Sequence, residues 1–416
     1  MTSGLHRRDR CRMCESERLE LALPITASPI ADAYIPATRL GQPQETYPLD
    51  LYLCLECGHV QNLDIVDPEI LFRDYLFVTS TSSGLVEHFR QYAAEVVSHF
   101  SIRPGSLVVE IGSNDGSLLR FFKDQRMKVL GVDPAREIAR QATEMGVPTL
   151  PEFFGSAIAS SVRAEHGPAA VVTANNVFAH ADDLADIVKG VRELLAEDGV
   201  FVFEVSYLVD IVDKFLFDTV YHEHVSYHSI SPLVRFFERL GMQLFDVQQI
   251  ASKGGSIRGF AQRSPEGKRL QTPAVRELIT LERQRGFGSL EPYRAYEGRI
   301  NARKEALTEL LGREIAGGAL VAGYGASTTT TTLMWHFGLT RKLAFLADDN
   351  PYKQGLFSPG VHIPVVPSEE LYVRRPDYVI VLAWNYAEPI IKRHQRFLKE
   401  GGKFIIPLPE LKVVQQ

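Results

Sequence analysis

Apolar and polar positions change rhythm twice along the chain. Residues 1 to about 70 are short, turn-rich runs punctuated by Pro24, Pro29, Pro36, Pro43 and Pro48. From Ser83 to Phe100 the residues Val86, Phe89, Ala93, Val96 and Val97 recur near helical spacing, which predicts an amphipathic helix. Apolar strands at 107–111, 129–132, 170–174 and 200–205 then alternate with helical stretches. Such alternation predicts a parallel sheet covered on both faces. Residues 243–250 and 257–262, around Lys253-Gly254-Gly255-Ser256, read as an antiparallel pair. Residues 264–315 are charged and helical in period. A second alternating block follows at 320–323, 343–346, 378–383 and 403–407. The expected class is α/β, divided into a small unit (1–70), an α/β core (71–263), a helical connector (264–315) and a second Rossmann-like unit (316–416).

Composition narrows this. A chain of 416 residues has room for two to four domains at ~150 residues each. Its 45% hydrophobic and 23% charged residues fit a soluble globular protein. The net charge of −6 argues against bulk nucleic-acid binding, which wants a basic surface. No apolar run approaches the ~20 residues a bilayer requires. Residues 1–15 carry charges and no apolar stretch of signal-peptide type, so cytoplasm is the expected compartment.

The four cysteines fall in two pairs, Cys11-x-x-Cys14 and Cys54-x-x-Cys57, with Gly58 after the second. Two such knuckles can present four thiolates to a tetrahedral Zn²⁺, and no cysteine is left over. Ordinary buried cysteines or a redox dithiol are the alternatives. A four-cysteine site is closed, so its role would be folding rather than chemistry.

Leu107-Val-Val-Glu110-Ile-Gly112-Ser113-Asn114-Asp115-Gly116-Ser117-Leu118 reads as strand, glycine turn and helix. The next strand ends in Asp133, where an acid can hold both ribose hydroxyls. This pairing serves nicotinamide cofactors and S-adenosylmethionine alike, and a βα turn without ligand has the same outline. The turn lacks the full G-x-G-x-x-G spacing that seats a pyrophosphate. Glu110 and Asp115 would repel a pyrophosphate but could approach the amino group and sulfonium of S-adenosylmethionine. The fourth strand runs into Asn175, Asn176 and His180, where ligands of open α/β sheets sit. His180 reads equally as a capping residue on a surface loop.

Three of the twelve histidines fall between 222 and 228, in Phe217-Asp218-Thr-Val-Tyr221-His222-Glu223-His224-Val-Ser226-Tyr227-His228. Histidine titrates near neutrality and suits general-base work. A neighbouring carboxylate can orient it, and Tyr221 or Tyr227 can donate to an oxyanion. A metal site through His224 and His228 and a solvated polar loop are the other readings; His222 and His228 are the first candidates for a purely structural part.

With the knuckles, the Glu110–Leu118 loop and the Phe217–Tyr227 segment in view, the chain resembles the S-adenosylmethionine-dependent sugar C-methyltransferases of deoxysugar biosynthesis. Their best-studied type methylates C-3 of a dTDP-linked 4-keto deoxyhexose. The resemblance spans essentially the whole chain. It implies a zinc-binding N-terminal domain, a class I methyltransferase Rossmann-like core and a second Rossmann-like C-terminal domain for the nucleotide-sugar. The last contains Val321-Ala-Gly-Tyr324-Gly325-Ala326-Ser327 and Asp349-Asn350-Pro351-Tyr352-Lys353. Carried over by position, the resemblance implies His224 as base, with Glu223, Tyr221, His180 and Tyr75 around it. It implies cofactor contacts from Glu110, Gly112, Asn114, Asp115, Gly116, Asp133, Asn175 and Asn176. Substrate contacts would come from Ser82, Ser83, Tyr324 and Lys353, and zinc ligands from Cys11, Cys14, Cys54 and Cys57. Relatives commonly have a lysine after the Gly-Ala of the C-terminal loop. Here Ser327 and Thr328 to Thr332 stand instead, and threonine hydroxyls at a helix N-terminus can bind phosphate.

The reaction so implied begins with His224 taking the acidic proton beside a ketone; adjacency in sequence suggests that Glu223 orients the imidazole or carries its charge. Hydroxyl donors and His180 would stabilise the enolate oxygen. Competing readings are a nicotinamide-dependent nucleotide-sugar oxidoreductase, a small-molecule O-methyltransferase and a non-catalytic zinc-knuckle protein. Neither nucleic acid nor membrane is an expected partner. The sequence is compatible with a monomer and specifies no oligomeric state, sugar or nucleotide.

Overall fold

The computed structural model describes residues 4–73, 75 and 78–416, with Ser83 described in its backbone only. The central sheet has seven strands. In spatial order they are Met242–Ile250, Ser256–Arg263, Leu195–Ser206, Ala169–Asn175, Leu107–Ile111, Lys128–Val132 and Thr149–Leu150. The five strands from 107 to 206 run parallel. Ser256–Arg263 inserts antiparallel beside Leu195–Ser206 and pairs with Met242–Ile250 as the expected hairpin. Numbered along the chain, the order is 3-2-1-4-5-7-6. Its switch point lies between the first and fourth strands, so their carboxyl ends open a crevice.

The strands that began as continuous apolar runs are buried on both faces: Leu107–Ile111 is buried along its length. The third strand escaped the sequence reading because Thr149–Leu150 is two residues long, too short for a periodicity. The predicted helix at 83–100 is Ser83–His99. It packs Phe89, Tyr92, Ala93 and Val96 against Val108, Leu118, Phe122 and Val202. Burial of such side chains contributes roughly 1.5–3 kcal/mol each.

The second sheet, in order Val365–Pro367, Leu346–Asp348, Val321–Tyr324, Tyr378–Val381, Lys403–Ile406 and Lys412–Val414, is parallel except for its last strand. The strand expected at 343–346 is displaced to Leu346–Asp348. Two long helices, Pro273–Gln284 and Glu291–Ala316, occupy the charged connector. Among the described residues no helix is long and apolar enough to cross a membrane.

The N-terminal unit is not self-contained. Its sheet runs Leu19–Leu23, Leu51–Cys54, Val60–Asn62 and then Ser226–Tyr227, the last strand coming from the histidine-rich segment of the core. Ile35–Pro36 pairs with Leu356–Phe357 of the second Rossmann-like unit. Three hydroxyls of the threonine tract, those of Thr330, Thr331 and Thr332, are turned inward, and two of them tie these parts together. Thr331 Oγ1 donates to Ala31 O and Thr332 Oγ1 to Val220 O, both at 2.7 Å, and Thr330 Oγ1 donates to Gly325 O at 3.0 Å. A helix that opens against two other units turns its hydroxyls into them, because buried hydroxyls need partners.

Candidate active site

A cavity of about 550 Å³ lies beyond the carboxyl ends of the core strands. Of the residues singled out in the sequence, it brings together Tyr75, Glu110, Gly112, Asn114, Asp133, Asn175, Asn176, His180, Tyr221 and Glu223. One half is set by the glycine turn. Gly112 has φ +67°, and a Cβ there would sit 2.4 Å from Val177 Cγ2, so only glycine fits without displacing the fourth-strand loop. Asp133 accepts from Asn114 N at 2.7 Å and Ala135 N at 2.9 Å. Its carboxylate thus holds the loop in shape while remaining on the cavity wall.

Among the described residues, Ser113 Oγ and two acceptors of this half, Glu110 Oε2 and Asn175 Oδ1, are buried and make no hydrogen bond. Burial, with Asp133 and Asp115 nearby, holds the Glu110 carboxyl well above its usual range despite the Asn175 amide. A buried acceptor left unmade costs about 1–3 kcal/mol. An ammonium group entering the cavity would satisfy both acceptors. This set of acceptors fits S-adenosylmethionine, with Glu110 and Asn175 toward the amino acid end and Asp133 toward the ribose. Glu110→Gln is expected to weaken S-adenosylmethionine binding ~10–100-fold, the worth of a charge-assisted hydrogen bond, with the melting temperature unchanged or higher. Calorimetric titration checks it.

Asp115 does not reach the cavity. Its Oδ1 accepts from Ser117 N (3.1 Å) and Oγ (2.6 Å), and Oδ2 from Ser80 N (3.0 Å). It braces the turn into the following helix, whose N-cap is Gly116, and ties that turn to Ser80. Gly116, with φ +74°, makes the turn beside it and is likewise outside the wall.

The other half is the histidine-rich segment. Thr219 O lies 2.7 Å from His224 Nδ1. A carbonyl only accepts, so Nδ1 carries the proton and Nε2 keeps its lone pair. Tyr221 Oη lies 3.0 Å from that Nε2 and donates to it. Burial pushes the imidazole down to about 4, so it is neutral at pH 7. His180 lies 5.1 Å from it, ring centre to ring centre, and stacks on Phe72 at 5.6 Å. His224 itself stands just behind the wall, reached through Tyr221 and His180, which line the cavity.

Glu223 corrects an expectation drawn from adjacency. It does not orient His224; the Thr219 carbonyl does. Successive side chains diverge, and Glu223 faces the cavity, where Tyr75 Oη donates to its Oε2 at 3.0 Å. Burial, with a push from Asp32, raises it to about 7 against the Tyr75 bond. His222 and His228 are interior: His222 Nε2 meets Tyr47 O at 3.3 Å, and His228 packs between His59 and Phe178.

Of the expected substrate residues, Ser82, Tyr324 and Lys353 lie outside this cavity. Tyr324 is buried, with Asp349 Oδ2 at 2.8 Å and His394 Nε2 at 3.0 Å from its hydroxyl. Lys353 Nζ pairs with Asp32 Oδ1 at 2.6 Å and lies over the Tyr34 ring. Ser82 precedes the first core helix without capping it. The side chain of Ser83 lies outside the described residues. The sequence reading missed Phe72, Asp182 and Lys253, all on the wall. Lys253 sits in the Lys-Gly-Gly-Ser turn, visible as a hairpin signal but not as part of a site.

Asp218 is a second buried carboxyl in this segment. Burial pushes it up to about 7, although Trp384 Nε1 donates to Oδ2 at 2.8 Å. A raised folded pKa means the native state holds a proton that the unfolded chain has released, so stability declines as pH rises from the unfolded pKa to the folded one. Asp218→Asn keeps an acceptor for Trp384 and removes the titration. The melting temperature of the wild type relative to this variant is expected to fall between pH 4.5 and 7 and to level above that.

The four cysteine sulfurs lie within 4.8 Å of one another, with Cys11 Sγ 3.7 Å from Cys57 Sγ and Cys14 Sγ 3.5 Å from Cys54 Sγ. Zn–S bonds of ~2.3 Å at tetrahedral angles place sulfurs about 3.8 Å apart. The spacing fits a zinc ion and is far too long for disulfides.

The strand order, the glycine turn with its acid and the unpartnered Glu110 Oε2 define a class I S-adenosylmethionine-dependent methyltransferase. Family models match in three consecutive stretches: "Putative zinc binding domain" over residues 11–72, "Methyltransferase domain" over 85–247 and "C-methyltransferase C-terminal domain" over 251–409. The chain is 35% identical over 407 residues to the C-methyltransferase NovU of Streptomyces niveus, covering 98% of this chain and 97% of that one. Among solved structures, the magnesium protoporphyrin IX methyltransferase of Synechocystis PCC 6803 with bound SAH matches 44% of this chain and 84% of its own, at 15% identity and TM-score 0.34. A S-adenosylmethionine-dependent methyltransferase of Clostridium acetobutylicum ATCC 824 matches 44% and 92%, at 13% identity and TM-score 0.35. The chain belongs to the zinc-binding, S-adenosylmethionine-dependent C-methyltransferase family.

Proposed function

We propose that the enzyme methylates a carbon beside the ketone of a nucleotide-linked 4-keto deoxysugar, at C-3, and does so in the cytoplasm as part of deoxysugar biosynthesis. The observation that supports this reading is the tautomer of His224, whose Nε2 lone pair is presented to Tyr221 by the Thr219 carbonyl on Nδ1. O-methylation needs no base for a C–H bond, whereas C-methylation of a ketone does.

His224 takes the proton from the carbon next to the ketone, with Tyr221 giving up Nε2 as the substrate enters. Thr219 O then stabilises the imidazolium through Nδ1–H. His180, Tyr221 and Tyr75 are donors for the enolate oxygen, where negative charge develops. Glu223, poised near neutrality, exchanges a proton with that oxygen through Tyr75. S-adenosylmethionine, when bound, supplies the electrophilic methyl. The nucleotide lies toward the second Rossmann-like unit, on the side where Asp32, itself paired with Lys353, acts on the Glu223 carboxyl.

The test is incubation with methyl-labelled S-adenosylmethionine and a panel of nucleotide 4-keto sugars, read by mass. A 15-Da methyl replacing a ring hydrogen (+14 net) on one panel member is the expected result. Turnover of none of them, with methylation of a simple phenol or hydroxamate instead, would overturn the reading.

A further inference from the structure

Arg12 stands between two zinc ligands, Cys11 and Cys14, yet its side chain points away from the sulfurs into the core. It is one of the largest fully buried side chains of the protein. Its guanidinium joins three segments. Nη1 donates to Val225 O, and Nη2 donates to Asn62 O at 2.8 Å and to Asp182 Oδ1 at 3.3 Å. Its own backbone N–H donates to Gln61 Oε1 at 3.1 Å. A buried guanidinium left without acceptors would be strongly unfavourable, so this fork fixes the separation of the groups it binds.

Those groups flank the two histidines of the site. Val225 follows His224 directly. The N–H groups of Val225 and Ser226 both donate to Ala179 O, at 3.0 and 3.1 Å, and Ala179 precedes His180. The Val225 carbonyl also accepts from Asn62 N at 3.0 Å. Residues 225–226 are therefore gripped on one side by the His180 loop and on the other by the zinc unit. Asp182, two residues beyond His180, closes the loop onto Arg12, with Arg8 and His6 at 3.2 and 3.1 Å. Burial works against the Asp182 carboxylate, but Arg12 and Arg8 outweigh it and hold it below its usual range.

We propose that Arg12 is a positioning residue: it locks the Val225 carbonyl and Asp182 at fixed separation and so sets the spacing of His224 and His180. Occupancy of the zinc knuckle and geometry of the catalytic pair then form one mechanical unit. The catalytic half of this inference rests on the reading of His224 as base; the mechanical half does not.

The experiment compares Arg12→Ala and Arg12→Lys with the wild-type holoenzyme. It reads zinc content, the S-adenosylmethionine dissociation constant, hydrogen exchange of the peptide spanning 219–228, and turnover of a dTDP-4-keto deoxyhexose. Lysine keeps the charge but cannot span three acceptors with a planar fork. Expected for Arg12→Lys are one zinc per chain, exchange at least ~10-fold faster confined to 219–228 and the loop after Ala179, and kcat lowered ~10-fold or more with little change in the KM for S-adenosylmethionine. If Arg12→Ala does not fold, Arg12→Lys decides. Exchange within about twofold of wild type in the variants would overturn the proposal. So would acceleration spread over the whole chain with loss of zinc, which marks a merely structural residue. Local acceleration with unchanged turnover, in an enzyme whose His224→Asn variant is also active, would refute the base assignment and leave the clamp standing.

Discussion

His224→Asn is expected to lower kcat by ~10²-fold or more, the usual cost of losing a general base. Asparagine keeps a donor for the Thr219 carbonyl and approximates the volume of the imidazole. The melting temperature should therefore change little, and S-adenosylmethionine should bind as before, because Glu110, Gly112 and Asp133 lie in the other half of the cavity. The pH dependence separates the base from its neighbours. Burial holds His224 down to about 4 and raises Glu223 to about 7. The wild type should keep its base in the active, neutral form throughout the range from pH 5 to 8. Two carboxyls of the segment, Glu223 and Asp218, are raised to about 7; a titration of kcat near pH 7 that belongs to Glu223 should vanish in Glu223→Gln and persist in Asp218→Asn. Retention of more than about a tenth of the turnover in His224→Asn would take the base role from this residue, since the loss would then be smaller than general-base removal produces.

Removal of zinc is the other change with a large expected effect. Structural zinc contributes ~10–16 kcal/mol to small cysteine-ligated units, as much as the net stability of a whole domain, ~5–15 kcal/mol. Residues 11–72 should lose their fold when the metal is chelated or when Cys54→Ser and Cys57→Ser are combined. The consequence reaches the site, because Ser226–Tyr227 pairs with Val60–Asn62 and His59 Nε2 meets Ser226 Oγ at 3.3 Å. Turnover should fall by ~10²-fold or more, as with loss of the base itself, while S-adenosylmethionine affinity falls less. Elemental analysis, circular dichroism and turnover after dialysis against chelator check this. A zinc-free enzyme with full activity and an unchanged melting temperature would contradict it.

How much of this was legible in the residues depended on whether a local signal existed. The longer parallel strands were, because strands buried on both faces are written as unbroken apolar runs; the two- and three-residue strands Thr149–Leu150 and Val365–Pro367 were not. So were the knuckles, since metal ligands come as spaced pairs, and the glycine turn with Asp133. The strand Ser226–Tyr227 was not: it consists of two residues, and its partner lies more than 160 positions earlier. The roles of Glu223, Asp115 and the threonine tract turned on the same limit. Each is polar and near a site in sequence, but a side chain's direction is decided by what packs against it. Glu223 turns to Tyr75, Asp115 to Ser80 and Ser117, and Thr331 and Thr332 to carbonyls of two other units. Arg12, hidden between two cysteines, gave no signal beyond its charge.

The most direct test of the account follows hydrogen rather than methyl. A nucleotide 4-keto sugar deuterated at both carbons flanking the ketone is turned over with unlabelled S-adenosylmethionine, beside an enzyme-free control. The expected product is methylated, has lost deuterium at the carbon bearing the new methyl and has kept it at the other. A methylated product retaining both labels would contradict it, because no C–H bond would then have been broken.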